Sequence, residues 1–142
     1  MKIKIKKKDP SVKTPVYSSN GAACFDIFSN EDMVITPLTQ KVFKTGLYFE
    51  IPEGYVMLIY GRSGLAIKNG VSPTNCVAVI DSDYRGEVHC ALYNHFFHGY
   101  HIRKGDRICQ AMVVPYPKIE FEEVDNLSET LRGAGGIGST GS

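Results

Sequence analysis

Several features that would place a chain in a broad class are missing from these 142 residues. No apolar run approaches the roughly 18 residues that a bilayer-spanning helix needs, so no membrane segment is expected. Sixteen Lys and Arg against fifteen Asp and Glu leave a net charge of +1. A general nucleic-acid binder is normally strongly basic, so that class is not expected. The N-terminus MKIKIKKK is basic but lacks the apolar stretch of a secretory signal, and a cytoplasmic location is expected. Cys24, Cys76, Cys90 and Cys109 include no pair close enough for a CxxC-type zinc or redox site. Reduced, mostly buried thiols are expected instead. No repeat of fixed period is present, and helical periodicity is almost wholly lacking.

What remains is one domain by size, with ordinary globular composition, 43% hydrophobic and 22% charged. Two local biases break the average. Five lysines fall in the first eight residues, and five of the fourteen glycines fall in the last ten. Between the ends, short β-rich runs alternate with turn residues, which predicts an all-β sandwich or barrel. Lys2 to Lys6 alternates with period two, pointing Ile3 and Ile5 inward, while its lysines guard an edge. Further strands are expected at 23–28, 33–36, 41–51, 55–60, 76–80, 87–94, 107–114 and 119–124. In the 87–94 run Val88, Cys90 and Leu92 share one face, and Glu87, His89 and Tyr93 the other. Only SGLAIKN, 63–69, suits a short helix, with Ser63 as its cap. From Ser128 the chain turns polar and then glycine-rich, too poor in apolar area to order itself.

Five segments could carry chemistry. In VIDSDYRGEV (79–88), Asp81 and Asp83 flank a turn ended by Gly86. An EF-hand reading fails, because Arg85 stands where an oxygen ligand belongs and Leu92 where the closing Glu belongs. Asp83 reads as the first corner of a hairpin turn. Asp81, beside VAVI, reads as a partly desolvated carboxylate suited to accept a proton. In GRSGLA (61–66), Arg62, Ser63 and Gly64 offer a guanidinium fork, a hydroxyl and a close backbone approach, the parts of a phosphate site. The tail RGAGGIGST (132–140) matches G-x-G-x-x-G by spacing, but no strand-to-helix context follows. Its Arg132, Ser139 and Thr140 among glycines read as an anion clamp, against a plain flexible spacer. In KGDRICQ (104–110), Gln110 is a polar residue in an apolar run and needs a partner if buried. His95, His98 and His101 recur every three residues, yet a hairpin over 87–102 would not keep them on one face. Surface histidines are therefore expected, not a zinc site.

AACFDIFS (22–29), GRSGLA (61–66), NCVAVIDSDYRGEV (75–88), GDRICQ (105–110) and RGAGGIGSTG (132–141), taken in this order, resemble the trimeric all-β deoxyuridine triphosphatases (dUTPases). The resemblance implies a jelly-roll-like β-barrel over 1–127. It implies a homotrimer whose three active sites each draw on all three chains, with 128–142 as a flexible arm closing a neighbour's site. The implied reaction is hydrolysis of dUTP to dUMP and pyrophosphate with Mg²⁺ brought by the triphosphate, an activity that supplies dUMP and keeps uracil out of DNA. Asp81 would orient and deprotonate the water that attacks the α-phosphorus. Tyr84 would pack against the deoxyribose and exclude a 2′-OH. Asn75 and the backbone of a 75–80 hairpin that includes Ala78 would read the uracil. Asp26 would support the metal through water. Arg62, Ser63, Gly64 and Gln110 would hold the phosphates, and Arg132, Ser139 and Thr140 of a third chain would close over them.

Three positions depart from the family pattern. Ile137 replaces the usual aromatic lid over the base, Ala78 a frequent Gly, and Gly61 the usual Pro. None removes a reacting group. The rival readings are a dCTP deaminase of the same superfamily, for which Glu87 is the candidate acid/base, and a regulatory module that uses this fold to bind a protein partner.

Overall fold

The protein's structure is a computed structural model, and residues 1–137 are described. Among them the chain runs through β1 (Lys4–Lys7), β2 (Val16–Tyr17), β3 (Phe25–Phe28), β4 (Met33–Ile35), β5 (Gln40–Lys44), β6 (Leu47–Glu50) and β7 (Tyr55–Tyr60). The helix α1 (Ser63–Asn69) follows, then β8 (Val71–Pro73), β9 (Val77–Ile80), β10 (His89–Asn94), β11 (Tyr100–Ile102) and β12 (Arg107–Pro115). The expected mostly-β architecture with one short helix is what folds. A five-stranded sheet has the order β2-β3-β12-β7-β9, and a three-stranded sheet the order β5-β10-β8. Two pairs, β1-β6 and β11-β4, complete the set, and every pairing is antiparallel.

The core is built by alternation. Val88, Cys90 and Leu92 are buried as their spacing requires, together with Ile27, Ile35, Phe43, Leu47, Met57 and Ile59. Each such side chain contributes about 1.5–3 kcal/mol by leaving water. The run expected as one strand over 41–51 divides at Gly46, whose φ of 70° carries the chain from the β10 pairing to the β1 pairing. Buried Thr45 fixes this break by donating to Val88 O at 2.6 Å and accepting from Leu47 N at 3.2 Å. In β1, Ile5 stays 37% exposed, so only half-buried Ile3 serves the core.

Other expectations are corrected. Residues 87–102 do not form a hairpin: β10 lies between β5 and β8, and β11 lies on β4. Buried Asn94 instead organises the turn between them. Its Nδ2 donates to Ile35 O and His98 O, and its Oδ1 accepts from Phe96 N. No strand forms over 119–124. Its backbone has no partner edge in the single chain, and Ile119, Phe121 and Val124 remain exposed. Of the thiols, Cys90 and Cys109 are buried, Cys24 is half-buried, and Cys76 is exposed in the turn before β9.

The helix matches its expected span, but Ser63 is not its cap. Arg62 occupies that place with extended φ and ψ and no side-chain cap bond, and Ser63 begins the first turn. Gly70 ends the helix in the left-handed region, at φ 63°, with its N–H donating to Ala66 O. A Cβ at Gly70 would meet the Phe96 ring as well as the strained backbone. Gly70→Ala is expected to cost at least about 1 kcal/mol, the price of a left-handed non-glycine residue, read as a lowered thermal midpoint.

Candidate active site

The site is best built outward from Asp26. It lies in β3, level with Gln110 of β12, which is in turn level with Tyr60 of β7. Two residues past Tyr60 the chain reaches Arg62, whose side chain folds back over the sheet. Arg62 Nε donates to Asp26 Oδ1 at 3.0 Å, and Arg62 Nη1 to the Arg107 carbonyl at 3.0 Å. Arg107 Nη1 approaches Asp26 Oδ2 and Ser18 Oγ, each at 3.2 Å, and Ser18 Oγ donates to the same Oδ2 at 2.5 Å. Gln110 Nε2 donates to Gly61 O at 2.8 Å, which gives this half-buried amide the partner it needs and pins the entry to the RSG turn. Ser63 and Gly64 stand exposed in the first turn of α1.

Asp26 is buried, and burial alone would raise its pKa. The Ser18 and Arg107 hydrogen bonds and the two guanidinium charges outweigh that and hold the carboxyl below its ordinary value. Each of its oxygens is already engaged, but Oδ1 accepts from a single donor and keeps a lone pair for a water. Among the described residues no group of three or more His, Cys, Asp or Glu converges to hold a metal ion. The Asp26 carboxylate alone thus offers a hydrated cation one water-mediated contact, through the free lone pair of Oδ1.

The remaining predicted residues lie elsewhere. Residues 75–80 are not a hairpin. The chain turns at Asn75 and Cys76, where φ is 58°, and crosses from β8, paired with β10, to β9, paired with β7. Exposed Asn75 and half-buried Ala78 border a 90 Å³ slot floored by Cys90 and Cys109. Asp81 caps the far end of β9. The turn there begins at Asp81, whose carbonyl accepts from Tyr84 N at 3.2 Å, two residues earlier than expected. Asp81 is exposed in the single chain, because Val77 and Val79 of β9 point to solvent. The expected desolvation is thus absent in an isolated copy. Asp81 lines a groove of about 690 Å³ with Asp83, Arg85, Tyr116 and Lys118.

Tyr84 is held by its Oη, which donates to Glu87 O at 3.0 Å, and its ring lies where a Cβ on residue 86 would be. Gly86 is there because nothing larger leaves room for that ring. Glu87 is tied to the break between β5 and β6, its Oε1 accepting from Gly46 N at 2.8 Å. Arg132 Nε donates to Gly135 O at 2.8 Å, and Ile137 is fully exposed. Ser139 and Thr140 lie outside the described residues.

The sheet register sets the scale of the site. Asp81 lies four residues along β9 from the level shared by Val77, Tyr60, Gln110 and Asp26, and three strands across from β3. At about 3.3 Å per residue and 4.8 Å per strand, the two carboxylates of one chain are about 20 Å apart. The structure thus joins Asp26, Arg62 and Gln110, and separates them from Asp81 and Tyr84. Sequence reasoning missed Ser18 and Arg107; only the polar SS and GDR contexts signalled them.

In this mostly-β protein two guanidiniums clasp one buried carboxylate, chemistry suited to a phosphate ester, and a second carboxylate stands exposed over a groove. Comparison with known proteins makes this specific. Residues 11–141 match the dUTPase family model. The chain is 48% identical over 141 residues to the deoxyuridine 5′-triphosphate nucleotidohydrolase of Nautilia profundicola, covering 99% of each chain. It is 45% identical over 143 residues to that of Finegoldia magna, again covering 99% of each. Its structure is similar to that of the Staphylococcus bacteriophage 80alpha dUTPase with dUpNHpp, at a TM-score of 0.93 and 28% identity over 99% of both chains. The chain belongs to the dUTPase family.

The depressed Asp26 pKa has a consequence for folding. Its stabilisation is present above the ordinary carboxylate value, about 4, and is lost as pH falls through the lower folded-state value. Asp26→Asn is therefore expected to cost about 2 kcal/mol at neutral pH, from lost charge-assisted bonds. Denaturant midpoints of the variant and wild type should converge as pH is lowered below about 4.

Proposed function

We propose that this chain hydrolyses dUTP to dUMP and pyrophosphate. The observation that carries the reading is a clasped guanidinium, Arg62, and an exposed carboxylate, Asp81, both retained in a chain of this family. Asp81 orients a water in line with the α-phosphorus and takes its proton. Arg62, Ser63, Gly64 and Gln110 position the phosphate chain, so that catalysis rests on alignment and charge more than covalent chemistry. Asn75 and the backbone around Ala78 read the uracil edge. Tyr84, immobilised through Glu87 O and Gly86, fills the space a ribose 2′-OH would need. Mg²⁺ arriving with the triphosphate would supply charge neutralisation, and Asp26 is the residue that would reach it, through water.

Asp81 and the Asp26–Arg62 cluster of one chain are too far apart to serve one triphosphate. This supports a homotrimer in which they come from different copies. The outward Val77 and Val79 on edge strand β9, 38% and 60% exposed, are consistent with a face that another copy covers. Within each subunit, the sheets over 1–127 close as a jelly-roll-like barrel. Residues 128–142 act as an arm, with Arg132, Ser139 and Thr140 closing on the phosphates of a neighbour's site. Ile137 there gives the base an apolar cover in place of an aromatic one, worth about 1 kcal/mol less. The deaminase alternative is disfavoured by Glu87, whose carboxylate is committed to the Gly46 N–H.

A nucleotide panel of dUTP, UTP, dCTP and dTTP is expected to give pyrophosphate with Mg²⁺ from dUTP alone. Ammonia from dCTP would install the deaminase reading, and no turnover of any would favour a binding module. Asp81→Asn is expected to lower kcat about 10³-fold while nucleotide binding persists; retained activity would remove Asp81 as the base. Truncation after Ser128 is expected to spare the trimer by light scattering and abolish most turnover.

A further inference from the structure

Arg107 takes no part in the reading above, yet it is bonded to Asp26, Ser18 and Arg62 alike. Register along β3 and β12 shifts between Arg107 and Cys109, and Ile108 and Cys109 are consecutively buried where strict alternation would expose one of them. Such a bulge re-aims the residue at its edge. Here it turns Arg107 so that both its carbonyl and its guanidinium face the Asp26–Arg62 pair. The carbonyl accepts from Arg62 Nη1 at 3.0 Å, while the guanidinium reaches Asp26 Oδ2 and Ser18 Oγ.

Two effects follow. Arg62 is fixed at two of its nitrogens, Nε by Asp26 and Nη1 by the Arg107 carbonyl. Of its five N–H groups, three remain in the same plane for an incoming anion. The second effect is charge. Asp26 and Arg62 alone would be a neutral pair with little attraction for phosphate. With Arg107 on the other carboxylate oxygen, two guanidiniums share one carboxylate and the cluster keeps a net positive charge. The anchoring carboxylate then holds Arg62 without cancelling it.

We infer that Arg107 is the positioning residue for Arg62, and that it keeps the phosphate cluster both aligned and cationic. The inference rests on the reading of Arg62 as a triphosphate contact. It assigns Arg107 no contact with the reacting atoms. Its effect is therefore expected to be larger on ligands that carry the whole phosphate chain than on a monophosphate.

The test compares binding of α,β-imido-dUTP and of dUMP to wild type, Arg107→Gln and Arg107→Lys, by calorimetry in the presence of Mg²⁺, with steady-state kinetics alongside. Arg107→Gln removes the charge and is expected to weaken the imido analogue, and raise KM for dUTP, about tenfold, with dUMP affinity within about twofold of wild type. Arg107→Lys restores the charge without the fork and is expected to fall between the two, a partial rescue that a purely structural role would not show. An Arg107→Gln protein with wild-type affinity for the analogue, or one that loses dUMP and analogue equally, overturns the inference. If Arg107→Gln does not fold, a folded Arg107→Lys with a wild-type ratio of the two affinities overturns it just as well. Wild type that hydrolyses no dUTP and binds neither nucleotide defeats the parent reading and this one together. Wild type that is active, with variants failing as stated, defeats this one alone.

Discussion

The arrangement of Ser18, Arg62 and Arg107 hangs on one carboxylate taken out of water. Asp26 sits buried on β3, an inner strand of a five-stranded sheet, where an unpaired charge would be severely destabilising. It is kept ionised by Ser18, Arg62 and Arg107, which come from three further places in the chain. The same bonds that make its burial tolerable also orient the guanidinium that faces solvent. Stability and site geometry are therefore one arrangement: whatever loosens the carboxylate loosens the arginine.

The sheet that carries this cluster also sets Asp26 and Asp81 apart within one copy. Antiparallel strands place residues on a grid, and that grid puts Asp81 at one corner and Asp26 at the other. Asp26 lies on inner strand β3 and Asp81 just past edge strand β9, whose Val77 and Val79 face solvent. In the homotrimer proposed above, association of copies would bring together what the grid keeps apart and cover the outward Val77 and Val79.

Much of the fold was legible from alternation. The face shared by Val88, Cys90 and Leu92, the helix over 63–69 and most of the long strands are where their patterns place them. Two-residue and three-residue strands such as β2, β8 and β11 were not, because so short a run has no period of its own and is defined only by its partner. Position 46 shows the complementary failure: the flanking residues read as continuous strand, and one glycine with a tertiary acceptor at Glu87 breaks it. The site was legible in part for the same reason. Arg62, Gln110 and Asp26 stand in segments with distinctive residue types, whereas Ser18 and Arg107 gain meaning only through partners 8 and 81 residues away. Asp81 was read correctly as the end of an apolar strand, but the strand's apolar face points outward, a matter of layer order that a local pattern does not encode.

Gly86 carries a consequence beyond its turn. The ring of Tyr84 occupies the volume that any side chain at residue 86 would claim, so the wall proposed to tell one sugar from another is guarded by a residue that touches no substrate. Mutational drift at Gly86 would move that wall without altering a single contacting group. Under the role proposed for Tyr84, sugar selectivity is then open to change from a neighbouring position that a survey of substrate-contacting residues would overlook.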